Sequence, residues 1–462
     1  MTVSLSNLDV AWSLLGQQRY SEAAVQAAAI LARFPDNVSA LACHALANWQ
    51  GGGDFAASMQ EMRRAVELAP NEASVRHNFA TMLASDGDIA NACAQFETAL
   101  RLKPDDTLAF YGLSHNHKFT EETPLVRSML ALHAAGELDP YRREFLAFAL
   151  AKVFDDLGAP ERAVHYALEG KAIAPRPFDL TGETRTLARL AQLAADDAFR
   201  KVRYSGHPSR APLFIVGMNR SGTTLLESML SRHPRVFAQG EQMQIIGVES
   251  AARQQAGGAD RQSVAASLRK DWLGVQAERI LQGAMARAKA PFDIVTDKLP
   301  ENALRLGLIS RIFPNARVIY VRRHPLDMGV SNFFQRFTHG QGYSYRMEWI
   351  GARVRQIADT MAIWKRAIDL PILDVSYEKL VADPEAEIRR VLNFVDLDWT
   401  ADVLEPHRTQ RAILTSSQWQ VRQPVNRRSV GRWKAYEPWL GPMVEAMGGL
   451  DWVEREVAEA SG

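Results

Sequence analysis

Three stretches of this chain repeat one another at a nearly fixed spacing. RYSEAAVQAAAILARFPDN, DFAASMQEMRRAVELAPNE and DIANACAQFETALRLKPDD line up on their prolines, Pro35, Pro70 and Pro104, in steps of 35 and 34. The residues opening the segments, Tyr20, Phe55 and Ile89, keep the same steps. Such a period fits a helix–turn–helix unit, which cannot bury its open face alone and must stack on the next copy. Small alanines let the paired helices approach closely. Each proline ends a helix, because it lacks an N–H and restricts the residue before it. Residues 145–173 read as a further, degenerate pair.

The array occupies a third of a 462-residue chain, so a second and larger domain follows. Net charge is +1, from 54 basic and 53 acidic residues, which argues against a general nucleic-acid binder. Two cysteines, Cys43 and Cys93, lie in helical segments and read as buried thiols of a reducing compartment. No apolar run reaches the ~18 residues of a membrane span. MTVSLSNLDVAW lacks the basic-then-apolar layout of a signal peptide. The expectation is a cytoplasmic protein with no membrane span. Residues 1–175 form an all-α repeat domain, 176–205 a helical linker and 206–462 an α/β domain.

The α/β domain opens on APLFIVG-MNRSGTT-LLESMLSRHP, an apolar strand, a glycine loop and a helix. Gly217 and Gly222 have the P-loop spacing, yet Thr223 stands where that loop needs lysine, and the cation is Arg220. Backbone N–H groups at such a helix start face an anion. A second unit, NARVIYVRRHPLDMGVSNFF, ends its strand in Arg322 and Arg323, where a metal-assisted NTPase would place an aspartate. Ser331 lies eight residues after Arg323, about two helical turns on. Cations with no metal ligand suit direct capture of phosphate. A ligand with one 5′ anionic group and a separate phosphate fits, as in 3′-phosphoadenosine 5′-phosphosulfate (PAPS), whose product is 3′,5′-ADP.

With both motifs in view, residues 211–445 resemble the sulfotransferase family, and the repeats resemble tetratricopeptide repeats. The combination looks like the bacterial tetratricopeptide-repeat sulfotransferases, related to tyrosylprotein sulfotransferases. The resemblance implies a P-loop-like parallel sheet sandwiched by helices. It makes Arg220, Ser221, Gly222, Thr223, Thr224 and Leu225 the cradle of the 5′-phosphosulfate, with Asn219 in place of a customary proline, which loosens the loop. It assigns Arg323 and Ser331 to the 3′-phosphate, and Tyr377, in LDVSYEKL, to the adenine. Lys298, in TDKLPEN, and Ser417, in TSSQWQV, match two further family segments. No metal is implied.

In-line sulfuryl transfer builds negative charge on the leaving oxygen. Arg220 and Lys298 are the candidates to stabilise it, with Ser417 as a donor. Glu241, after Gly240, is the candidate base. By the register of the tyrosylprotein enzymes, which use the second of two glutamates, the base position falls on Gln242 instead. His233 and His324 read as packing and turn residues. The acceptor is a peptide tyrosine, a glycan or a small phenol. The repeats offer a surface for a protein partner or for self-association. Two other readings stand beside this one: a P-loop kinase or NTPase, and a catalytically inactive sulfotransferase fold whose repeats bind a protein.

Overall fold

The computed structural model describes residues 6–195, 206–255, 269–337, 340–408 and 425–461. These fall into two compact units that part between Pro175 and Arg176.

Among its described residues the first unit is all helix: α1 (Ser6–Gly16), α2 (Tyr20–Leu31), α3 (Val38–Gln50), α4 (Phe55–Leu68), α5 (Ala73–Asp86), α6 (Ile89–Leu102), α7 (Thr107–Asn116), α8 (Pro124–Ala135), α9 (Pro140–Asp156) and α10 (Pro160–Ile173). The repeated segments are α2, α4 and α6, the second helix of each pair. Pro70 and Pro104 stand just past α4 and α6. The residue two places beyond the proline is then the N-cap of the next helix. The Asn37 side chain accepts from the Ala40 N–H at 2.9 Å, and Asp106 from the N–H groups of Leu108 and Ala109 at 3.1 Å. One short loop thus stops a helix and caps its successor. Ala23, Ala27, Ala40, Ala65, Ala92 and Ala99 are fully buried, the small contacts the sequence reading expects between paired helices. A Cβ on Gly112 would lie 2.4 Å from the Phe96 ring, so only glycine lets α7 sit that close to α6. Burial pushes the Cys43 thiol up to about 11, and neither Cys43 nor Cys93 is in a disulfide.

The second unit is built on a five-stranded sheet in the order β2-β3-β1-β4-β5, parallel throughout. The strands are β1 (Pro212–Gly217), β2 (Val236–Ala238), β3 (Ile294–Asp297), β4 (Arg317–Arg322) and β5 (Ile372–Ser376). β1 and β4 are buried along their whole length, as near-continuous apolar runs in parallel sheets are. Helices of this unit are α11 (Leu180–Ala195), α12 (Thr223–Leu230), α13 (Gln244–Gln255), α14 (Lys270–Arg287), α15 (Leu306–Ile312), α16 (Pro325–Phe333), α17 (Met347–Ala367), α18 (Tyr377–Ala382), α19 (Pro384–Phe394), α20 (Gly441–Met447) and α21 (Leu450–Ser461). Leu213, Ile215, Leu226, Ile319, Val375 and Ile388 join one face of the sheet to α12 and α19 in a single core.

α11, in the stretch read from the sequence as a linker, is part of this unit. Its Glu183 accepts from Arg353 at 3.0 Å and from Gln356 at 2.7 Å, both on α17. Phe178, just before it, packs on Tyr343 and Trp349 with ring centroids 6.0 and 5.8 Å apart.

The strand order reverses at β1, which lies between β3 and β4. Ligands of open parallel sheets bind at such a switch point, outside the carboxyl ends of the strands.

Candidate active site

Each of the five strands delivers a sequence-selected residue at, or within a few residues of, its carboxyl end. β1 runs into Arg220, β2 into Glu241, β3 into Lys298, β4 into Arg323 and β5 into Tyr377. Of the candidate residues, only Ser417 lies outside the described residues.

The loop after β1 is tightly wound. The Ser221 N–H donates to the Met218 carbonyl at 3.1 Å, closing a turn. Arg220 has φ 70° and Gly222 has φ 106°. For arginine that left-handed conformation costs on the order of 1 kcal/mol or more, and such outliers concentrate at ligand loops. At Gly222 a Cβ would also fall 2.5 Å from the Tyr377 ring. Thr223 and Thr224 open α12. The Asn219 side chain donates to the Tyr343 hydroxyl at 3.1 Å, and its carbonyl accepts from Asn332 at 2.9 Å. Tyr343 donates in turn to Asn332 at 3.1 Å. Asn219 therefore ties the loop to its surroundings, where the sequence reading had it loosen the loop.

Arg323 is 7% exposed. It donates to the carbonyls of Arg220 at 2.9 Å and Ser429 at 2.7 Å, and its guanidinium lies 4.6 Å from the Tyr377 ring centroid. Burial holds its pKa below the ordinary value, against the pull of Tyr377, Asp327 and Glu378. Among the described residues no carboxylate forms an ion pair with it. Arg220 donates from Nε to the Ser331 hydroxyl at 3.0 Å, so the cation assigned to one end of the nucleotide meets the serine assigned to the other. Two polar atoms at this point, Ser221 Oγ and Arg323 Nε, are buried with no hydrogen-bond partner. Buried donors are rarely left so, and bound anionic groups, one at each atom, would satisfy them.

Arg322 goes elsewhere. Successive strand residues face opposite sides, which turns it away from the Arg323 side. It pairs with Glu456 at 2.8 Å and Asp374 at 3.4 Å, fastening α21 to the sheet.

On the other flank, Lys298 is 1% exposed and its Nζ lies 2.8 Å from Glu241 Oε1, whose side chain is 43% exposed. The Gln242 side chain turns back to donate to the Gln239 carbonyl at 2.8 Å. Beneath them Asp297 is buried beside the Glu227 charge, and burial above all pushes its carboxyl up to about 8. Donation from Gln242 and Asn302 and the Lys298 charge pull the other way. The folded chain therefore holds this proton from the ordinary value of 3.8 up to about 8, while the unfolded chain releases it. The stability it contributes is complete below the lower value and is lost as pH rises to the upper one. Thermal melts from pH 5 to 8 should show Asp297→Asn gaining on wild type by several degrees as pH rises. A constant difference across that range would refute the protonated carboxyl.

His233 packs its Nε2 3.1 Å from the Asp398 carbonyl, and His324 accepts from the Leu326 N–H at 3.2 Å as a cap of α16. Trp433 stacks on His324, with ring centroids 5.3 Å apart. Sequence reasoning passed over Tyr343, Asn332, Asp327 and Glu227. Asp327 accepts from the N–H groups of Gly431 at 2.7 Å and Trp433 at 2.9 Å and holds the loop that carries Ser429. Glu227 had a readable signal, a lone acid inside the apolar run TTLLESML.

Residues 212–401 match the family described as the Sulfotransferase family. The chain is 28% identical over 401 residues to an uncharacterized protein of Aquifex aeolicus (strain VF5), covering 84% of this chain and 52% of that one. It is 27% identical over 252 residues to Protein-tyrosine sulfotransferase 2 of Gallus gallus, covering 49% of this chain and 64% of the relative. The matches thus span between half and two thirds of these relatives' length. Solved structures similar to it include the sulfotransferase domain of the Synechococcus PCC 7002 olefin synthase (20% identity, 50% of this chain, 91% of that chain, TM-score 0.38). A mouse sulfotransferase complexed with PAP is another (14% identity, 58% of this chain, 95% of that chain, TM-score 0.33). The sulfotransferase resemblance read from the motifs is shown for this part of the chain.

Proposed function

We propose that the second unit transfers a sulfuryl group from PAPS to a hydroxyl or amine acceptor. The observation that carries the proposal is that Arg220, Arg323 and Lys298 all lie at the carboxyl edge of one sheet, with Ser221 Oγ and Arg323 Nε buried and unpartnered. That set suits two separate anionic groups. PAPS would supply an activated sulfuryl group and a phosphate leaving group.

In this reading the amides of residues 221–225 and Arg220 hold the 5′ end, with Arg220 exchanging the Ser331 hydroxyl for it. Arg323 and Ser331 hold the 3′-phosphate, and Tyr377 borders the base. Lys298 is fixed where charge develops on the leaving oxygen, and a buried cation there costs no reorganisation during the reaction. Glu241 takes the acceptor proton, and Ser417 stays in its assigned role as a donor. The carboxylate of Glu241 reaches solvent, so an incoming hydroxyl can meet it. Gln242 has no proton-accepting side chain and is folded onto its own loop. The acceptor is a peptide tyrosine, a glycan or a small phenol, and the site is cytoplasmic.

Titration calorimetry with 3′,5′-ADP in EDTA tests the reading directly. Micromolar binding without metal is expected, and ATP with Mg²⁺ should bind far more weakly. No binding of 3′,5′-ADP, or binding of ATP with Mg²⁺ alone, would overturn it.

A further inference from the structure

The turn that carries Glu241 is tied down on both sides of that residue, and past it the Gln242 N–H donates to the Asp297 carboxyl group. Gly240 has φ 75°, and the Glu241 side chain is half exposed with Lys298 as its ion-pair partner. Its position is therefore set by the backbone. Two groups grip that backbone at Gly240. The Lys298 N–H donates to the Gly240 carbonyl at 3.0 Å. On the opposite side the Gly240 N–H donates to Glu227 Oε1 at 2.8 Å.

Glu227 is 1% exposed and sits on α12, the helix that begins at the anion loop. The same oxygen accepts from the Thr296 hydroxyl at 2.6 Å, and Thr296 Oγ1 accepts from the Gln239 N–H at 3.3 Å. Thr296 belongs to β3, one residue before Asp297 and two before Lys298. One buried carboxylate oxygen thus joins the anion-loop helix, the strand that ends at Lys298 and the turn that ends at Glu241. An apolar residue would have been the cheaper choice in that helix, since a buried acid is retained only when its bonds are made.

We propose that Glu227 is a positioning residue for sulfuryl transfer: through the Gly240 N–H it fixes the turn so that Glu241 stays on Lys298 and in line with the anion loop. The assignment rests on the function proposed above. Misplacement of a reacting group by about 1 Å costs on the order of 10²-fold in rate. A Glu227→Met variant keeps the bulk and leaves the Gly240 N–H without an acceptor. A Glu227→Gln variant keeps an Oε1 acceptor and loses the charge.

The test measures three quantities for wild type and both variants: 3′,5′-ADP affinity, hydrogen exchange across residues 236–243, and turnover of labelled PAPS with p-nitrophenol as hydroxyl probe. For Glu227→Met, exchange in the turn is expected to rise at least about tenfold. Its kcat should fall about 10–100-fold, with KM for PAPS and 3′,5′-ADP affinity within about twofold of wild type. Glu227→Gln should recover most of the kcat. Unchanged exchange in the Met variant overturns the clamp. Loss of nucleotide affinity in step with kcat, or a Gln variant as poor as Met, shows a residue that merely supports the fold. If wild type neither binds 3′,5′-ADP nor turns over PAPS, the proposed function fails, while the exchange result still decides whether Glu227 holds the turn.

Discussion

Replacing Lys298 by alanine is expected to lower turnover about 10²–10³-fold while leaving 3′,5′-ADP binding nearly unchanged. The ammonium is almost wholly removed from water, at the end of the strand next to the anion loop, and its ion-pair partner is the proposed base. A fixed cation in that setting acts on charge that grows only as the reaction proceeds, so its loss falls on kcat rather than on binding. Glu241→Gln should cost a similar factor for a different reason, the loss of the proton acceptor. Because the two side chains are one unit 2.8 Å apart, the double variant should be little worse than the poorer single one. Full additivity would mean the pair does not act together. A Lys298→Ala enzyme that keeps its kcat would remove Lys298 from the chemistry.

Arg322→Ala and Arg323→Ala, one residue apart, should give opposite phenotypes. Arg322 is 8% exposed and bound to Glu456 and Asp374. Removing it strands Glu456 at the sheet edge, while Asp374 keeps Lys365 at 2.6 Å, and should cost about 3 kcal/mol of stability, the low end for buried pairs because Glu456 keeps some contact with water. Nucleotide affinity should hardly change. Arg323 meets carbonyls and a ring, so its removal relieves a buried charge and should leave Tm within a few degrees of wild type. Affinity for 3′,5′-ADP should drop about 10–100-fold, the loss of one or two charge-assisted hydrogen bonds. Calorimetry and melting curves on the same samples separate the two. If Arg322→Ala were the variant that lost the nucleotide, the assignment of the phosphate to Arg323 would be reversed.

How much of this was readable in advance follows the distance between partners along the chain. The anion loop, the strand-end arginines and the helix-stopping prolines are local patterns, fixed by backbone rules within about ten residues. Alternation along β4 is local too, and sends Arg322 and Arg323 to opposite sides of the sheet. The supports of the site are not local. Asn219 meets Tyr343 across 124 residues, Arg323 meets Ser429 across 106, and Glu227 meets Thr296 across 69. No spacing rule connects such pairs, because their encounter depends on the strand order. Asn219 shows the consequence. Read alone it is a departure from a rigid proline, and only its distant partners make it a tether. The same limit applies to α11, whose amphipathic pattern declared a helix but gave no sign of the surface it would cover.

That helix also marks where the second unit could be exchanged as a piece. A fragment begun at residue 206 would carry every strand-end residue, yet would leave Tyr343 without Phe178 and Arg353 without Glu183. Both supports converge on the tyrosine that holds Asn219. A recombination joint that spares the nucleotide loop therefore lies at Pro175–Arg176, thirty residues ahead of the fragment start that the motifs suggest. A gene fusion cut at the motif boundary would inherit the strand-end residues without their brace.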